Sequence, residues 1–440
     1  MLFWVGGYGA DLSEMGGRSE GIGTLTAGAM DAAWASGSLS YGRLATRNPS
    51  PSPSWLAAHP SLDVVYAAHE GAGAIAAYER VGERRLRPLG RSLRVGESPC
   101  HIAVAQDGAY LVVSCYGDGR VVRVSLGAHG ELGAALVVTP ERIRDPHGPD
   151  APPDERDEFT LVGLRDLRAM AAALGEDARA DAEAAAERAR DGERTDAPAP
   201  ASHRAGAPVP GPTAAPALAA GAEGAHAPGD AAPPRASHAH AAAFLPDGRI
   251  ATTDLGFDAV RIWRAGPGTL VADHVVALPR GSGPRHMVVH PSGHLHVVTE
   301  YSCEVFTLAP RADGRWGVVA GVPVSPDVRI GVDFPSELSA GRRGEFLYAG
   351  VRGSDAIATL RVRGAGERVE AIGLEESGGQ WPRHHLVAHD TLLVANQRSG
   401  EITSLPISER TGVPGRVRHR TEAGSPSCIL PARTAGLSPA

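Results

Sequence analysis

The chain has 440 residues, of which 42% are hydrophobic and 5% aromatic, and its formal net charge is −7. An acidic balance disfavours a general nucleic-acid binder, which needs a basic field to collect phosphates. No apolar run approaches the ~18 residues that a membrane-spanning helix needs, and the first residues lack the basic and apolar regions of a signal peptide. We therefore expect a cytoplasmic protein with neither a nucleic-acid nor a membrane partner.

The four cysteines are spread along the chain. No two of them have the CxxC spacing that is typical of zinc sites, and the chain does not resemble a small disulfide-linked framework. We predict free thiols at Cys100, Cys115, Cys303 and Cys428.

The first segments are short and strand-like. LFWVGGYG and EGIGTLTAG are rich in β-forming residues but contain no complete set of three strands joined by turns. They therefore need partners from elsewhere in the chain.

From Ser52 onward one hairpin unit recurs. Each copy has a short apolar strand, a tight turn, a second strand, a polar loop and a third strand, with Gly, Asp, Ser and Pro in the turns. The aligned turn positions are Leu62, Gly108, Gly248, Gly293, Gly344 and Asp390, at intervals of 46, 140, 45, 51 and 46 residues. A period in the forties with three or four strands per unit predicts the blades of a β-propeller.

The long interval contains a surplus segment, residues 145–235, with a different composition. Five apolar residues recur there at three- to four-residue spacing, which predicts a helix over about 158–191. Those residues are Leu161, Leu164, Leu167, Met170 and Leu174. The sequence after it is rich in Ala, Pro and Gly and predicts a flexible segment. We interpret 145–235 as an insertion between two blades of a single propeller domain spanning 1–440, whose helix is either loosely packed or recruits a partner.

The chain ends with one more strand-like segment, SPSCILPA, which again lacks partners. Pairing it with the first strands would complete a seventh blade and leave no free sheet edge in the ring. The sequence therefore predicts an all-β, seven-bladed propeller closed by its N- and C-terminal strands.

Polar side chains recur at one open end of the hairpins. The start of the first strand and the end of the second lie at the same end of an antiparallel pair, so these residues should gather at the mouth of the central channel. They are Glu70, His101, His238, His240, Arg285, His286, Glu300, Arg352, Arg383, His384 and Gln397. Guanidinium groups suit carboxylates and phosphates, and a His or Glu can activate water, so the mouth has the residues of an anion-binding hydrolytic site.

At these residues the chain resembles the lactonase family of seven-bladed propellers, the 6-phosphogluconolactonase-like group. The resemblance covers nearly everything outside 145–235. It lies in PSWLAAHP…HE, PCHIAVAQDG…CYGDG, HAHAAAFLPDG…DLG, GSGPRHMVVHPSG…TEY, PRHHLVAHD…ANQRSG, the early SEGI and the late SPSCI.

The resemblance implies hydrolysis of a sugar-acid lactone, typically 6-phosphoglucono-δ-lactone to 6-phosphogluconate in the pentose phosphate pathway. For this reaction we expect neither a cofactor nor a metal. Related fungal muconate-lactonising propellers use a His, two Arg and a Glu. By motif, these correspond to His238 or His240, Arg285, Arg352 and Glu300, which we predict to be catalytic. The remaining mouth residues are predicted to bind substrate, namely Glu70, His101, His286, Arg383, His384 and Gln397.

In this hypothesis the arginines hold the anionic lactone and the developing oxyanion, and Glu300 or a His of HAH is the general base. Two other functions remain open at this stage. One is an isomerase or lyase acting on a muconate-type lactone. The other is a non-catalytic propeller that binds a partner through the insertion.

Overall fold

Strands form almost all of the regular structure. The computed structural model describes residues 1–28, 38–42, 44–46, 52–139, 143–148 and 235–433. Their strands form seven sheets of four strands each, one of which carries an additional fifth strand. Two short 3-10 turns, Ala10–Met15 and Glu70–Ala72, are the helical elements of this part of the chain. The predicted all-β, seven-bladed propeller is therefore confirmed.

The blades follow one another along the chain. Blade 1 contains β1 (Leu2–Gly7), β2 (Gly23–Ala27) and β3 (Leu39–Tyr41). Blade 2 contains β4 (Pro53–Ala58), β5 (Val64–His69), β6 (Ala74–Arg80) and β7 (Leu86–Pro88), with β8 (Leu93–Arg94) paired to β6. Blade 3 contains β9 (Pro99–Val104), β10 (Tyr110–Cys115), β11 (Val121–Leu126) and β12 (Leu132–Val137). Blade 4 contains β13 (Ala239–Phe244), β14 (Arg249–Asp254), β15 (Ala259–Gly266) and β16 (Thr269–Ala277).

The last three blades have the same form. Blade 5 contains β17 (Pro284–Val289), β18 (Leu295–Thr299), β19 (Glu304–Pro310) and β20 (Trp316–Pro323). Blade 6 contains β21 (Phe334–Ala340), β22 (Phe346–Arg352), β23 (Ala356–Arg363) and β24 (Arg368–Glu376). Blade 7 contains β25 (Pro382–Ala388), β26 (Thr391–Asn396), β27 (Glu401–Pro406) and β28 (His419–Glu422). The final strand, β29 (Pro426–Pro431), is the innermost strand of blade 1.

The two ends of the propeller are joined in blade 1, as predicted. β29 pairs antiparallel with β1, with Phe3 opposite Pro431 and Val5 opposite Ile429. Because each end supplies strands that the other lacks, the blade is complete only when both are present.

Hydrophobic clusters fill the spaces between neighbouring blades. Between blades 2 and 3, Tyr66 and Ile75 pack with Leu111, all fully buried. Equivalent clusters occupy the other six junctions, including the one between blades 7 and 1. Burying a side chain of this size stabilises the fold by roughly 1.5–3 kcal/mol, so each blade depends on both of its neighbours.

The predicted turns lie between the first and second strands of their blades. Four of them contain a glycine with φ between +71° and +91°, a region that strains any side chain with a Cβ. These are Gly108, Gly248, Gly293 and Gly344. Each donates its N–H to the carbonyl three residues earlier, which closes the turn.

A β-bulge begins the inner strand of every blade. The register between the first two strands shifts there in all seven sheets, because the inner strand has one residue more than its partner. Five of these strands begin with proline, which lacks an N–H and is tolerated at the first position of a strand. A bulge bends the strand and re-aims its side chains, so the two residues after the first position leave the regular alternation.

The four cysteines are free thiols, as predicted, and three of them are buried. Within the described residues, no helix is long and apolar enough to cross a membrane. The predicted helix at 158–191 and most of the segment 145–235 lie outside the described residues.

Candidate active site

The bulges place two layers of side chains at one end of the central channel. We call the first bulge residue of each blade the bulge ring and the next residue the inner layer. The bulge ring is Ser54, Cys100, His240, Arg285, Ser336, Arg383 and Ser427. The inner layer is Trp55, His101, Ala241, His286, Glu337, His384 and Cys428. Since a strand advances about 3.3 Å per residue, the inner layer lies deeper in the channel.

The bulge ring surrounds a cavity with about 280 Å³ of empty space, counted to its open mouth. The lining residues are Tyr8, Ser54, Trp55, Glu70, Cys100, His240, Arg285, His286, Arg383 and Ser427. Most come from the bulge ring, so the bulge is the local structure that builds the cavity.

Arg285 and Arg352 share one carboxylate. The Nε of Arg285 lies 3.0 Å from Oε2 of Glu300, and an Nη of Arg352 donates to the same oxygen at 2.8 Å. Arg352 also donates to the backbone carbonyls of Phe334 at 2.9 Å and Pro335 at 3.1 Å. Glu300 thereby joins the end of β18 to the end of β22, and Arg285 connects this network to the cavity.

The opposite charges in this network stabilise the ionised forms of one another. Burial alone would raise the pKa of Glu300, but Arg352 and Arg285 outweigh it and hold that pKa below its ordinary value. Burial, together with Arg352, lowers the pKa of Arg285 to about 10, which still leaves the guanidinium charged at neutral pH.

One nitrogen of Arg285 is left for a ligand. Nη1 is buried and has no hydrogen-bond partner within the described structure, and the side chain is only 3% exposed. A buried donor without a partner costs roughly 1–3 kcal/mol. Because Arg285 lines the cavity, an anionic group bound there would satisfy this donor.

Glu70, Arg383 and Tyr8 form a second polar group in the cavity wall. The guanidinium of Arg383 lies 4.9 Å from the centre of the Tyr8 ring, and Glu70 bonds to the Tyr8 hydroxyl. Burial raises the pKa of both Glu70, despite Arg383, and Tyr8. This group offers the Arg383 cation beside a phenol and a carboxyl group, which suits the hydroxyl and anionic groups of a polyhydroxylated chain.

The histidines of the site are uncharged. Burial, reinforced by Arg285 and neighbouring histidines, lowers the pKa values of His101, His240 and His286 well below the ordinary range. Nδ1 of His240 is buried without a partner, whereas Nδ1 of His101 accepts the N–H of Ala242 at 3.3 Å. A neutral imidazole at the cavity can take a proton from water, so His240 and His286 are the candidate bases.

The inner layer closes the cavity from below. Trp55 packs against three histidine rings, with centroid distances of 4.4 Å to His101, 5.2 Å to His286 and 5.5 Å to His384. Glu337 lies among them and is 8% exposed. Within the described residues, no three His, Cys, Asp or Glu side chains are arranged to hold a metal ion.

The structure brings most of the predicted site residues together, but not all in the same role. Glu70, His240, Arg285, His286 and Arg383 line the cavity. His101 and His384 belong to the layer beneath it, and Glu300 and Arg352 adjoin it through Arg285.

Two predicted residues lie away from the lining. The ring of His238 stacks on Tyr116 with its Nδ1 2.7 Å from the Tyr116 carbonyl oxygen. The side-chain amide of Gln397 donates to the carbonyl of Met15 at 2.8 Å. Neither side chain lines the cavity. Each instead bonds to the backbone of a loop at the mouth.

Sequence reasoning missed several residues of the site, above all Tyr8, Trp55 and Glu337. A signal for the last two was present. Each follows a Pro-Ser pair, as His286 and His384 follow Pro-Arg, so aligning the inner strands on proline would have found them. Cys100 was also missed, but burial raises the pKa of its thiol well above the ordinary value, so it is not a nucleophile at neutral pH.

Comparison with known proteins agrees with this architecture. The family model described as "Lactonase, 7-bladed beta-propeller" matches residues 3–159 and 217–431. The chain belongs to this lactonase family. Apart from Leu2, the matched ranges contain all residues of the strands of the seven blades.

Curated relatives match only part of the chain. A Lactococcus lactis protein without an assigned function is 29% identical over 201 residues, 44% of this chain and 59% of that protein. A Bacillus subtilis protein named 6-phosphogluconolactonase is 28% identical over 181 residues, 40% of this chain and 52% of that protein. The chain thus spans little more than half the length of the relatives that it matches.

Solved structures share the fold over nearly the whole length. The Pseudomonas aeruginosa periplasmic gluconolactonase is 21% identical, with a TM-score of 0.69 over 98% of this chain and 100% of that chain. A Bacteroides fragilis protein described as a putative 6-phosphogluconolactonase is 18% identical, with a TM-score of 0.67 over 97% and 96%. At these identities the likeness establishes the propeller fold.

Proposed function

We propose that this protein hydrolyses a sugar-acid lactone, with 6-phosphoglucono-δ-lactone as the first substrate to test. The observation that carries this proposal is the buried guanidinium of Arg285, which lines the cavity with an unpartnered donor. Family membership and the name of the Bacillus subtilis relative support the same reaction.

The arginines supply the electrostatic part of the reaction. Attack of water on a lactone carbonyl places negative charge on its oxygen, and a preorganised buried cation stabilises that charge most in the transition state. Arg285 fills this role, held in place by Glu300. Arg383, beside Tyr8 and Glu70, holds the phosphate or the hydroxyl groups of the same molecule.

The base is an imidazole rather than Glu300. Two guanidinium groups lie against Oε2 of Glu300, and this carboxylate adjoins the cavity only through Arg285, so it is not placed to take a proton from water in the cavity. His240 and His286 line the cavity and are uncharged at neutral pH. Between the two histidines of HAH, the geometry favours His240 over His238.

The test follows disappearance of 6-phosphoglucono-δ-lactone, generated in solution at neutral pH, with spontaneous opening subtracted. Glucono-δ-lactone and a muconate-type lactone are assayed in parallel, and products are identified by NMR. We expect the free protein to accelerate opening of the phosphorylated lactone. Arg285→Gln should lower kcat/KM by about 10²- to 10³-fold, because it removes the cation that meets the oxyanion.

The control is Arg420→Gln. Arg420 lies on the outer strand β28 and forms an exposed ion pair with Glu401 of β27. An active control beside an inactive Arg285→Gln supports the assignment. Isomerised rather than hydrolysed product would instead establish the isomerase or lyase alternative. A wild-type protein inactive on all three lactones would contradict the proposed function.

The pathway, the cytoplasmic location and the role of 145–235 remain predictions. The Pseudomonas structure is described as periplasmic, so cell fractionation is the direct check of location. A protein partner bound through the insertion stays a prediction, as does its place between two blades of a single domain.

A further inference from the structure

Glu337 is a buried carboxyl at the bottom of the cavity that the proposed reaction does not yet use. Its Oε2 lies 3.0 Å from Nδ1 of His286 and 3.8 Å from Nε2 of His384, but neither contact has the geometry of a hydrogen bond, so this buried oxygen has no hydrogen-bond partner in the described structure. Charged side chains are rarely buried unless they are paired, since desolvation costs several kcal/mol per ion. Burial raises the pKa of Glu337, although His384 and His385 oppose it.

His286 is the only one of these neighbours that lines the cavity. His384 has its Nδ1 directed to the backbone N–H of Ile429 at 3.4 Å, and Nε2 of His385 donates to the carbonyl of Tyr348 at 3.1 Å. With Nδ1 of His286 against Glu337, Nε2 of His286 is the nitrogen available to a substrate or a water molecule.

We propose that Glu337 and His286 form a carboxyl–imidazole dyad in which Glu337 is the positioning residue and His286 the general base of the lactone hydrolysis. This inference rests on the proposed function for its chemistry. It assigns a role to Glu337, and it selects His286 over His240 as the base.

In the reaction, Glu337 as a carboxylate accepts Nδ1–H of His286, which fixes the tautomer with a lone pair on Nε2. Nε2 takes a proton from water while the water oxygen bonds to the lactone carbonyl carbon. When the tetrahedral intermediate collapses, the bond from that carbon to the ring oxygen breaks. The imidazolium returns its proton to the departing alkoxide, and the product is the open hydroxy acid.

The carboxylate of Glu337 stabilises His286 most strongly when the imidazole is protonated. In the resting protein its negative charge is poorly solvated, whereas the imidazolium that forms at 3.0 Å provides an opposite charge. The interaction is therefore stronger in the transition state than in the ground state, which is the condition for faster catalysis.

The kinetic test is Glu337→Gln, which keeps the shape of the side chain but removes its charge. We expect kcat to fall by about 10²-fold with little change in KM, because the base loses its counter-charge. The acid limb of the pH profile of kcat/KM should move to lower pH, since His286 without the carboxylate becomes less basic. The other groups facing Glu337 are Arg285, His384, His385 and Cys428, and all remain in the variant.

A second readout is independent of turnover. NMR of ¹⁵N-labelled histidine in the full-length protein follows the His286 ring as pH falls, in wild type and in Glu337→Gln. We expect the His286 pKa to be lower in the variant. An unchanged titration would overturn the dyad even if the wild type hydrolysed no lactone, so failure of the dyad and failure of the proposed function are separable.

Two further variants complete the design. Glu401→Gln is the matched control, because that carboxylate lies at the start of β27 and pairs with Arg420 at 3.5 Å, outside the cavity. It should leave kcat and the pH profile unchanged. Glu337→Asp retains the charge and should recover part of the rate, and it serves as the test variant if Glu337→Gln does not fold. Equal rates and profiles in wild type and Glu337→Gln would contradict the proposal.

Discussion

Glu300 binds two arginines through one carboxylate oxygen, and these contacts affect both the candidate site and the stability of the fold. Oε2 lies against Arg285 and Arg352, and Arg352 is further anchored to two carbonyls of β21. The same contacts that hold the arginines for an anion also tie blade 5 to blade 6. Removing one partner of a buried ion pair strands the other charge, which is more costly than replacing the whole pair.

We expect Glu300→Gln to lower the free energy of unfolding at pH 7 by about 3 kcal/mol. The folded-state pKa of Glu300 is depressed, so its stabilisation is present above the unfolded pKa of the carboxyl and is lost as pH falls through the folded pKa. Urea unfolding at pH 7 and pH 4 should therefore show a smaller pH dependence in the variant. Glu370→Gln, in an exposed pair with Arg363, is the control, and equal behaviour of the two variants would contradict this account.

The residue types of the site could be predicted from the sequence, but not which of two neighbours enters the cavity. HAH places two histidines at the start of one strand, and both fit the pattern equally. The bulge decides between them, because Ala239 occupies the first position and His240 the bulge position. A bulge arises from pairing with the adjacent strand and from packing around the channel, which no local sequence pattern specifies.

At the scale of elements, a turn in one blade fixes the start of the inner strand in the next. Asp258 lies in the turn between β14 and β15, and its carboxylate accepts the N–H groups of Gly281 at 2.8 Å and Gly283 at 2.7 Å. It also pairs with Arg235. These glycines directly precede the strand that carries Arg285 and His286. Asp355 accepts the N–H of Trp381 ahead of Arg383 in the same manner, at 2.7 Å.

We expect Asp258→Asn to reduce kcat/KM by about tenfold or more, because a displacement near 1 Å at the reacting groups can cost up to about 10²-fold. An amide cannot accept both N–H groups as well as the carboxylate does. Asp313→Asn is matched to it, since that carboxylate accepts the N–H of Arg315 at 2.9 Å in an exposed hairpin. Lactonase kinetics of both variants provide the measurement, and equal losses would exclude a role for Asp258 in positioning.

Elements as a whole were predictable because hairpins have a local signature. Alternating Val, Ile and Leu with Gly, Asp and Pro in the turns identified the strands of the six repeats, and the period identified the blades. Glu337 was missed because PSE differs from PRH in side-chain chemistry while sharing its place in the strand. Which residues are equivalent in different blades is set by their position in the ring and not by the sequence of the individual motif.

At the scale of the whole molecule, the ring is held by the junction between its two ends. Ile429 of β29 is 2% exposed and packs with Phe3, Val5 and Leu25. A charge at that position would be buried without a partner.

We expect Ile429→Asp to lower the free energy of unfolding by about 4 kcal/mol or more. Val271→Asp is the control, because Val271 lies on the outer strand β16 and is 56% exposed, and its effect should stay within about 0.5 kcal/mol. Urea denaturation of both variants measures the difference. Similar losses at the two positions would show that closure of blade 1 does not limit the stability of the ring.

The closure of blade 1 also has a consequence for synthesis. Tyr8, just after β1, and Ser427, in β29, line the same cavity, so the site cannot assemble until the last strand has left the ribosome. At 5–20 residues per second, synthesis of the stretch from β1 (Leu2–Gly7) to β29 (Pro426–Pro431) takes roughly 20 to 90 s. During that time β1 waits with an open hydrogen-bonding edge, which is a template for wrong pairing. We therefore expect the nascent chain, rather than the finished protein, to be the state that most needs a chaperone.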